Sequence, residues 1–173
     1  MSVIAVRISK SKIEIAGDSQ TTAGNNKYVK YDTTDKHINA YGKIFQVNNM
    51  TFGCAGYVSD IGLLQIFAKT HKPKEMERDF IIDWLIEFKE WANSKAKIGF
   101  NDLSFTAFII SDKRVFKIYS WVDAHEVKSF DSLGSGQWLA MGAMEAVASV
   151  EAAVKVANKY DLYCSGEIHK LTL

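Results

Sequence analysis

Alternating apolar residues near the start of the chain predict a β-hairpin. Ile4, Val6 and Ile8 alternate with smaller or polar residues, and the alternation resumes at Ile13 and Ile15 after a polar stretch. A repeat of two residues indicates a strand with one buried face. A strand that begins at residue 2 would hold the first residues on a sheet, whereas most chain termini fray.

A second hairpin is predicted between Lys43 and Cys54. Two apolar runs flank Asn48 and Asn49 there, and asparagine tolerates the positive φ of a tight turn. The polar run before this hairpin, Asn25 to Gly42, has little periodicity and is interpreted as a loop with room for a short strand. Loops of this length are usually functional or mobile.

Helical spacing of apolar residues follows the second hairpin twice. The first helix is expected to begin after a capping Ser59 and to reach about Thr70. The second carries an aromatic stripe from Phe80 to Trp91 beside an aliphatic stripe, so its apolar face is wide. We expect this face to lie in the core or in a subunit interface.

The rest of the chain continues with strands and helices. A turn is predicted at Asp112-Lys113, and Ser149 is expected to cap a helix. The patterns predict two or three strands, two helices and a closing strand, over 105–109, 115–121, 126–133, 137–148, 150–160 and 167–173 in that order.

This order of elements is typical of an α+β protein: strands, two helices, strands, two helices and a strand. No internal repeat, low-complexity tract or linker interrupts the chain, so residues 1–173 are predicted to form a single domain. Apolar residues make up 47% of the sequence, which is typical of a globular chain with a substantial core.

Composition narrows the classes of function. A net charge of +1 gives no large basic or acidic field, so nothing in the composition suggests nucleic acid or an anionic membrane as a partner. The sequence has no run of 18 apolar residues and no signal-peptide core, so a cytoplasmic protein is predicted. The two cysteines are expected to be reduced and the four histidines are scattered, so neither a catalytic metal nor a cofactor is expected.

The residue after Met1 carries chemistry of its own. Removal of Met1, which is usual before a residue as small as serine, would give Ser2 a hydroxyl that attacks carbonyls and an α-amine that accepts the hydroxyl proton. The reference pKa of an α-amine is about 8, close to neutral pH. Ser2 is therefore a candidate nucleophile with its own base. The alternative is that Ser2 is simply the residue after an initiator methionine.

Residues 17–24, GDSQTTAG, resemble a motif of the bacterial, proteasome-like peptidase subunit that works with a ring ATPase. That family has Gly-Asp-x-Gln-x-Thr-x-Gly at the same distance from its N-terminal threonine as these residues stand from Ser2, with no gap. Further segments match in the same order over nearly the whole chain, namely 43–47, 53–56, 134–136 and 161–166. The resemblance implies the four-layer αββα sandwich of N-terminal nucleophile hydrolases, with two antiparallel sheets between helix pairs.

The resemblance also implies a set of catalytic residues. Ser2 would be the nucleophile, Lys43 would lower the pKa of its amine and hydroxyl, and Asp18 would orient Lys43. The Gly56 N–H would bind the oxyanion. Ser135 would hydrogen-bond the amine and relay its proton.

Four further residues occupy positions with less defined roles in the family. Asp161 or Ser165 would support the catalytic centre from the last loop. Thr21 and Cys54 match positions that border the family's specificity pocket, and their alternative is an ordinary role in packing or in a turn.

The chain departs from the family at three points. Serine replaces threonine at Ser2, and the segment 18–43 is several residues longer. The aspartate that the family has in its last loop would fall at Leu162, with Asp161 one place off.

Two alignments compete as a result. Lys36 stands at a more family-like distance from Asp18, but we favour Lys43 because it leads an alternating strand that would give its side chain a defined direction. A slide of the first strand by one place would put Met1 at the nucleophile position. The ungapped alignment is favoured because it keeps the distance from Ser2 to Asp18.

The resulting hypothesis is a proteasome-like peptidase in which Ser2 attacks a carbonyl of a peptide or an unfolded protein. The resemblance implies a chamber of one or two stacked hexameric or heptameric rings of this chain, with a ring ATPase unfoldase as a further partner. Neither nucleic acid nor a membrane is expected as a partner. Two alternatives stay open: a catalytically silent ring or shell subunit, and an amidase that uses the same amine-assisted serine on a small molecule.

Overall fold

The computed structural model describes residues 2–23, 26–29, 42–96 and 103–173. In chain order the strands are β1 (Ile4–Ile8), β2 (Ile13–Asp18), β3 (Gln20–Ala23), β4 (Asn26–Val29), β5 (Ile44–Val47), β6 (Met50–Gly56), β7 (Phe105–Ser111), β8 (Arg114–Tyr119), β9 (Asp123–Glu126), β10 (Phe130–Leu133) and β11 (Ile168–Thr172). The helices are α1 (Val58–Ala68), α2 (Arg78–Ala96), α3 (Gln137–Glu145) and α4 (Val150–Tyr160).

The chain divides into two compact units. The first covers Met1–Phe45 and Lys128–Leu173, and the second covers Gln46–Val127. None of the helices in the described ranges combines the length and the hydropathy needed to span a bilayer.

The first unit is built on an antiparallel sheet in the order β10-β1-β2-β11. The predicted hairpin of β1 and β2 forms its centre, with Ile4 opposite Gly17, and β11 then places Ile168 opposite Asp18. Helices α3 and α4 pack against this sheet and against each other. Small buried residues such as Ala140 let these elements approach closely. The start of the chain is therefore held in the middle of a sheet.

The second unit contains α1, α2 and the antiparallel sheet β5-β6-β7-β8-β9, whose first strand carries the boundary between the units. The turn between β5 and β6 uses Asn48 at φ 51° and Asn49 at φ 61°, as predicted. Half of the aromatic stripe of α2 is core: Trp84 and Phe88 are buried and pack against Phe67 of α1, with ring centroids 5.6 and 5.4 Å from that of Phe67.

Of the two predicted helix caps, one is confirmed and one is wrong. The Ser149 hydroxyl accepts a hydrogen bond from the Ala152 N–H at 3.2 Å and caps α4. Helix α1 instead begins at Val58, after Tyr57, whose side chain makes no capping bond. Ser59 lies within the first turn, and its hydroxyl donates to the neighbouring Asp60 carboxylate rather than accepting a backbone N–H.

The single strand predicted over 126–133 is also wrong. The structure ends β9 at Glu126 and begins β10 at Phe130, and these two strands belong to different sheets. Strand β9 pairs with β8, whereas β10 pairs with β1. Alternation along the chain indicates which residues are buried but not which sheet buries them, so the pattern alone could not reveal the crossing between Val127 and Lys128.

Candidate active site

A single buried carboxylate organises the first unit. The side chain of Asp18, at the end of β2, is 0% exposed. Its Oδ1 accepts hydrogen bonds from the Val3 N–H at 2.9 Å and from the Lys43 ammonium at 2.7 Å. Its Oδ2 accepts from the N–H groups of Gln20 at 3.2 Å and Ser165 at 3.3 Å. Four donors from four separate segments thus satisfy both oxygens, as a buried carboxylate requires.

This carboxylate places Lys43 beside the start of the chain. Because Val3 and Lys43 donate to the same oxygen, the ammonium lies within two hydrogen-bond lengths of the nitrogen that links Val3 to Ser2. The Asp18 N–H in turn donates to the Val3 carbonyl at 3.2 Å. These bonds fix the backbone next to Ser2 on both sides of Val3.

Lys43 is held in an environment that disfavours its charge. Its side chain is only 11% exposed, and burial, the largest influence, lowers the pKa of its ammonium below the ordinary value. The charge of Asp18 and the hydrogen bond to it oppose that shift. A paired, largely desolvated ammonium of this kind exerts a stronger field on its neighbours than a solvated surface lysine.

The segment Gly134-Ser135-Gly136 binds the Ser2 backbone through the Ser2 carbonyl. The Ser2 carbonyl accepts hydrogen bonds from the Gly136 N–H at 3.2 Å and from the Ser135 hydroxyl at 3.4 Å. Gly134 has φ +92°, and a Cβ there would collide with the Ser2 carbonyl oxygen. A Cβ on Gly136 would come within 2.9 Å of the Cys164 sulfur. Both glycines are thus required by close approach of the backbone.

The last loop, residues 161–165, contacts Ser135. The Ser135 hydroxyl lies 3.4 Å from Asp161 Oδ1 and 3.6 Å from the Cys164 sulfur. Asp161 Oδ1 also accepts the Tyr163 N–H at 2.6 Å, which closes a short turn. The aspartate that stands one place off the family position thus contacts the Gly-Ser-Gly turn in this chain.

Two residues near the centre were not predicted from the sequence. Gln20 is 1% exposed, and its side-chain carbonyl accepts a hydrogen bond from the Ser165 hydroxyl at 2.8 Å. Cys164 is equally buried, and burial raises the pKa of its thiol to about 12, so it stays protonated. A signal for Gln20 was present, since it occupies the glutamine position of the motif at 17–24.

The remaining candidates belong to other elements and make none of these contacts with Asp18 or Ser135. Gly56 ends β6 in the second unit at φ +153°, where a Cβ would collide with the backbone of Ser104 and Phe105. Cys54, in the same strand, is fully buried, and burial raises the pKa of its thiol. Thr21 pairs with Tyr28 between β3 and β4.

Two of the competing positions, Met1 and Lys36, lie outside the described residues. Within the described ranges, no group of three His, Cys, Asp or Glu residues is arranged to hold a metal ion.

The fold defines a class. In the described ranges the chain has a four-stranded and a five-stranded antiparallel sheet, the short pair β3-β4 and four helices; this α+β arrangement, with the likeness to solved structures, is the sandwich fold of the N-terminal nucleophile hydrolases. The resemblance to proteasome β-type and bacterial ATP-dependent peptidase subunits is confirmed at the level of the fold.

The individual structures of this class are distant in sequence. BPH of Thiobacillus denitrificans in complex with epoxomicin matches with a TM-score of 0.83 at 17% identity, over 99% of this chain and 97% of that chain. A second BPH structure from the same organism has a TM-score of 0.83 at 16% identity with the same coverage. Eukaryotic HslV from Trypanosoma brucei matches with a TM-score of 0.67 at 17% identity, over 99% and 98%. No protein-family model matches the chain, and no curated protein matches it.

Proposed function

We propose that this chain is a proteasome-like peptidase that cleaves peptide bonds with Ser2, once Met1 has been removed, inside a ring-shaped chamber built from copies of itself. One observation carries the proposal: a fully buried carboxylate joins an ammonium to the backbone beside Ser2 through one oxygen atom. A protein kept only for assembly has no need of this arrangement, since a buried ion pair is weak evidence for stability.

In the proposed reaction the Ser2 oxygen attacks the carbonyl carbon of the scissile peptide. The hydroxyl proton passes to the α-amine, and the carbonyl oxygen takes the negative charge. The tetrahedral intermediate then collapses, the C–N bond breaks, and the α-ammonium returns the proton to the leaving amine. Water attacks the resulting ester with the α-amine again as base, which releases the acid and restores Ser2.

The surrounding residues favour this sequence by charge and by position. The Lys43 ammonium lowers the pKa of the α-amine and stabilises negative charge on the Ser2 oxygen. Asp18 orients Lys43 through a charge-assisted hydrogen bond of 2.7 Å. Ser135, which lies between the Ser2 carbonyl and Asp161, is proposed to relay the proton of the amine. The Gly56 N–H is proposed as the oxyanion donor by its match to the family.

Three residues complete the proposed site in supporting roles. Ser165 steadies Asp18 through its N–H. Thr21 and Cys54 are proposed to border the pocket for the substrate side chain, and Cys54, which is completely buried, would pack behind that pocket without touching the substrate.

The first experiment asks whether Ser2 is a working nucleophile. Intact mass should show a species without Met1, because retained Met1 converts the base into an amide. That species should hydrolyse a fluorogenic peptide and take up epoxomicin, the compound bound in a structural neighbour, with the added mass on Ser2.

Two variants at the same position provide the controls. Ser2→Ala should abolish both hydrolysis and labelling. Ser2→Thr should keep or raise turnover, because the added methyl restricts χ1 and less rotamer freedom is lost on reaching the attacking geometry. An absence of both hydrolysis and labelling in the Met1-free parent and in the Met1-free Ser2→Thr variant would favour the silent shell subunit. Hydrolysis of small amides without cleavage of peptides would favour the amidase.

The proposal of a ring rests on exposed apolar surface as well as on the fold. The residues of the aromatic stripe of α2 are buried or half-buried within their own unit, so the stripe no longer argues for a partner. Other large apolar side chains are exposed, notably Trp138 at 76% and Leu162 at 85%. Light scattering should show six or more subunits, in one or two stacked rings. A stable monomer at micromolar concentration would exclude both the chamber and the shell subunit.

A ring ATPase unfoldase is the proposed partner for folded substrates. A closed chamber admits only unfolded chains, so we expect unfolded protein to be cleaved without ATP and folded protein to be spared. The chain is proposed to act in the cytoplasm, where such an ATPase has its nucleotide.

A further inference from the structure

Two hydrogen bonds between Gln20 of β3 and Ser165 of the last loop join these segments; the proposed mechanism does not use this pair, which we call the clasp. The Gln20 N–H donates to the Ser165 carbonyl at 3.0 Å, and the Ser165 hydroxyl donates to Gln20 Oε1 at 2.8 Å. One residue of each segment thus holds the other by two hydrogen bonds of opposite direction. The 2.8 Å side-chain bond is shorter than any of the contacts that the Ser135 hydroxyl makes, which are 3.4 to 3.6 Å long.

The loop held by this clasp serves both halves of the candidate site. Its end supplies the Ser165 N–H to Asp18 Oδ2 at 3.3 Å. Its beginning supplies Asp161, which lies 3.4 Å from the Ser135 hydroxyl. Between them, the Cys164 N–H donates to the Asp161 carbonyl at 3.3 Å, so a shift at one end is passed to the other.

The burial of Gln20 separates it from the substrate. Gln20 is only 1% exposed, so its side chain can influence catalysis only through the residues that it contacts. Leaving the Ser165 hydroxyl without an acceptor in this partly buried place would cost more than the net value of the bond, because the donor is already removed from water.

We propose that Gln20 is a positioning residue, whose side-chain carbonyl holds the loop 161–165 so that Ser165 stays on Asp18 and Asp161 stays on Ser135. The proposal deepens the proposed function and rests on it, since what is positioned is the support of Ser2. Gln20 itself touches neither the substrate nor the reacting atoms.

The test is a double-mutant cycle in Met1-free protein with Gln20→Leu and Ser165→Ala. Each single variant should lower kcat about five- to tenfold with KM changed less than twofold. The double variant should be no slower than the slower single variant, because both remove the same bond. Ser165→Thr keeps the hydroxyl and should restore kcat to within about twofold of the parent. If Gln20→Leu fails to fold, the Ser165 pair still tests the bond.

A second readout does not depend on activity. Amide hydrogen exchange of residues 161–165 should become faster in Gln20→Leu and in Ser165→Ala. A matched control is Gln46→Leu, which removes another hydrogen-bonded glutamine, the partner of Thr51 at 3.1 Å, and should leave exchange in the loop and kcat unchanged.

The outcomes separate the two proposals. Unchanged exchange in the loop, or losses in kcat that multiply in the double variant, would overturn the role of Gln20. If the parent protein hydrolyses nothing, the proposed function fails, and the exchange result alone then decides whether Gln20 holds the loop.

Discussion

The two groups of residues that contact the backbone at Ser2 and Val3 differ in burial and in hydrogen-bond length. On one side Asp18 is fully buried and accepts four hydrogen bonds of 2.7 to 3.3 Å. On the other side Ser135 is exposed, and its hydroxyl meets Asp161 and the Ser2 carbonyl at 3.4 Å each. The Asp18 side is a complete structural centre, whereas the hydrogen bonds on the Ser135 side are long, and bonds of this kind commonly shorten when a substrate binds.

This contrast has a physical cause. A buried charge must be satisfied at all times or the fold loses several kcal/mol, so the Asp18 centre is complete before any substrate binds. A hydroxyl at the surface can exchange its partners with water at little cost, so nothing forces short bonds on Ser135. Substitutions on the Asp18 side should therefore affect both stability and activity, and those on the Ser135 side mainly activity.

The largest effect is expected at the buried ion pair. Lys43→Ala should reduce peptide hydrolysis at least about a thousandfold, within the range found for groups that act on proton transfer. Asp18→Ala should do the same and also lower the free energy of unfolding by about 3–5 kcal/mol, because Lys43 is left buried without its partner. Peptidase assays and urea unfolding measure the two quantities.

Two lysines serve as controls for this prediction. Lys155 forms an exposed pair with Glu151 at 2.7 Å, and Lys155→Ala should leave stability nearly unchanged, because exposed ion pairs contribute little. Lys36→Ala should retain activity. Loss of activity in Lys36→Ala with activity kept in Lys43→Ala would mean that the long segment has been aligned wrongly.

The next largest effect is expected at Gly134. Gly134→Ala places a Cβ against the Ser2 carbonyl at a φ of +92°, so the backbone beside the nucleophile must move. The strain alone should cost about 1–3 kcal/mol, and we expect at least a tenfold loss of kcat. In Gly142→Ala the added Cβ meets nothing within 4 Å, so this helical variant should gain about 0.5–1 kcal/mol with kcat unchanged. Equal stability of the two variants would contradict the close approach.

The value of kcat/KM should form a bell-shaped curve against pH, and it should change about tenfold per pH unit on the acid limb and on the alkaline limb. Below the pKa of the α-amine the base is protonated and activity is low, and Lys43 should hold that pKa below the reference of about 8. Above the pKa of Lys43 the cation is lost. Because burial lowers the pKa of Lys43, the alkaline loss of activity should begin at a pH lower than 10.5, the ordinary pKa of lysine. Lys43→Arg, which stays charged, should lose the alkaline limb. A wild-type profile that stays flat above pH 10.5 would show that the charge of Lys43 is not required.

The smallest effects are expected on the Ser135 side. Ser135→Ala and Asp161→Asn should each lower kcat about three- to tenfold, the value of one ordinary hydrogen bond, and change stability by less than about 1 kcal/mol. Ser132 is the matched control: its hydroxyl donates to the Gln137 carbonyl at 2.7 Å within the same segment. Ser132→Ala should lower stability by about 1 kcal/mol and spare kcat. A thousandfold loss of kcat in Ser135→Ala would contradict the contrast, because the Ser135 side would then matter as much for catalysis as the Asp18 side.

Several local features were determined by the sequence alone. The alternation of Ile4, Val6 and Ile15 predicted the central hairpin, and Asn48-Asn49 predicted the turn between β5 and β6. Ser149 was recognisable as a cap because capping depends on one side chain and the next three residues. These features follow from short-range geometry, which a linear pattern contains.

Only the tertiary structure decided which segments meet. The pattern over 126–133 could not show that its first residue ends a strand of one sheet and its last four residues form a strand of another. Nor could it show that Gln20 and Ser165 form a clasp, since 145 positions separate them. Asp161 could be named as a candidate but not placed against Ser135, because its orientation depends on the extended backbone at the end of α4 and on the turn that follows. Contacts of this kind are set by the packing of whole elements, so no local stretch of the sequence encodes them.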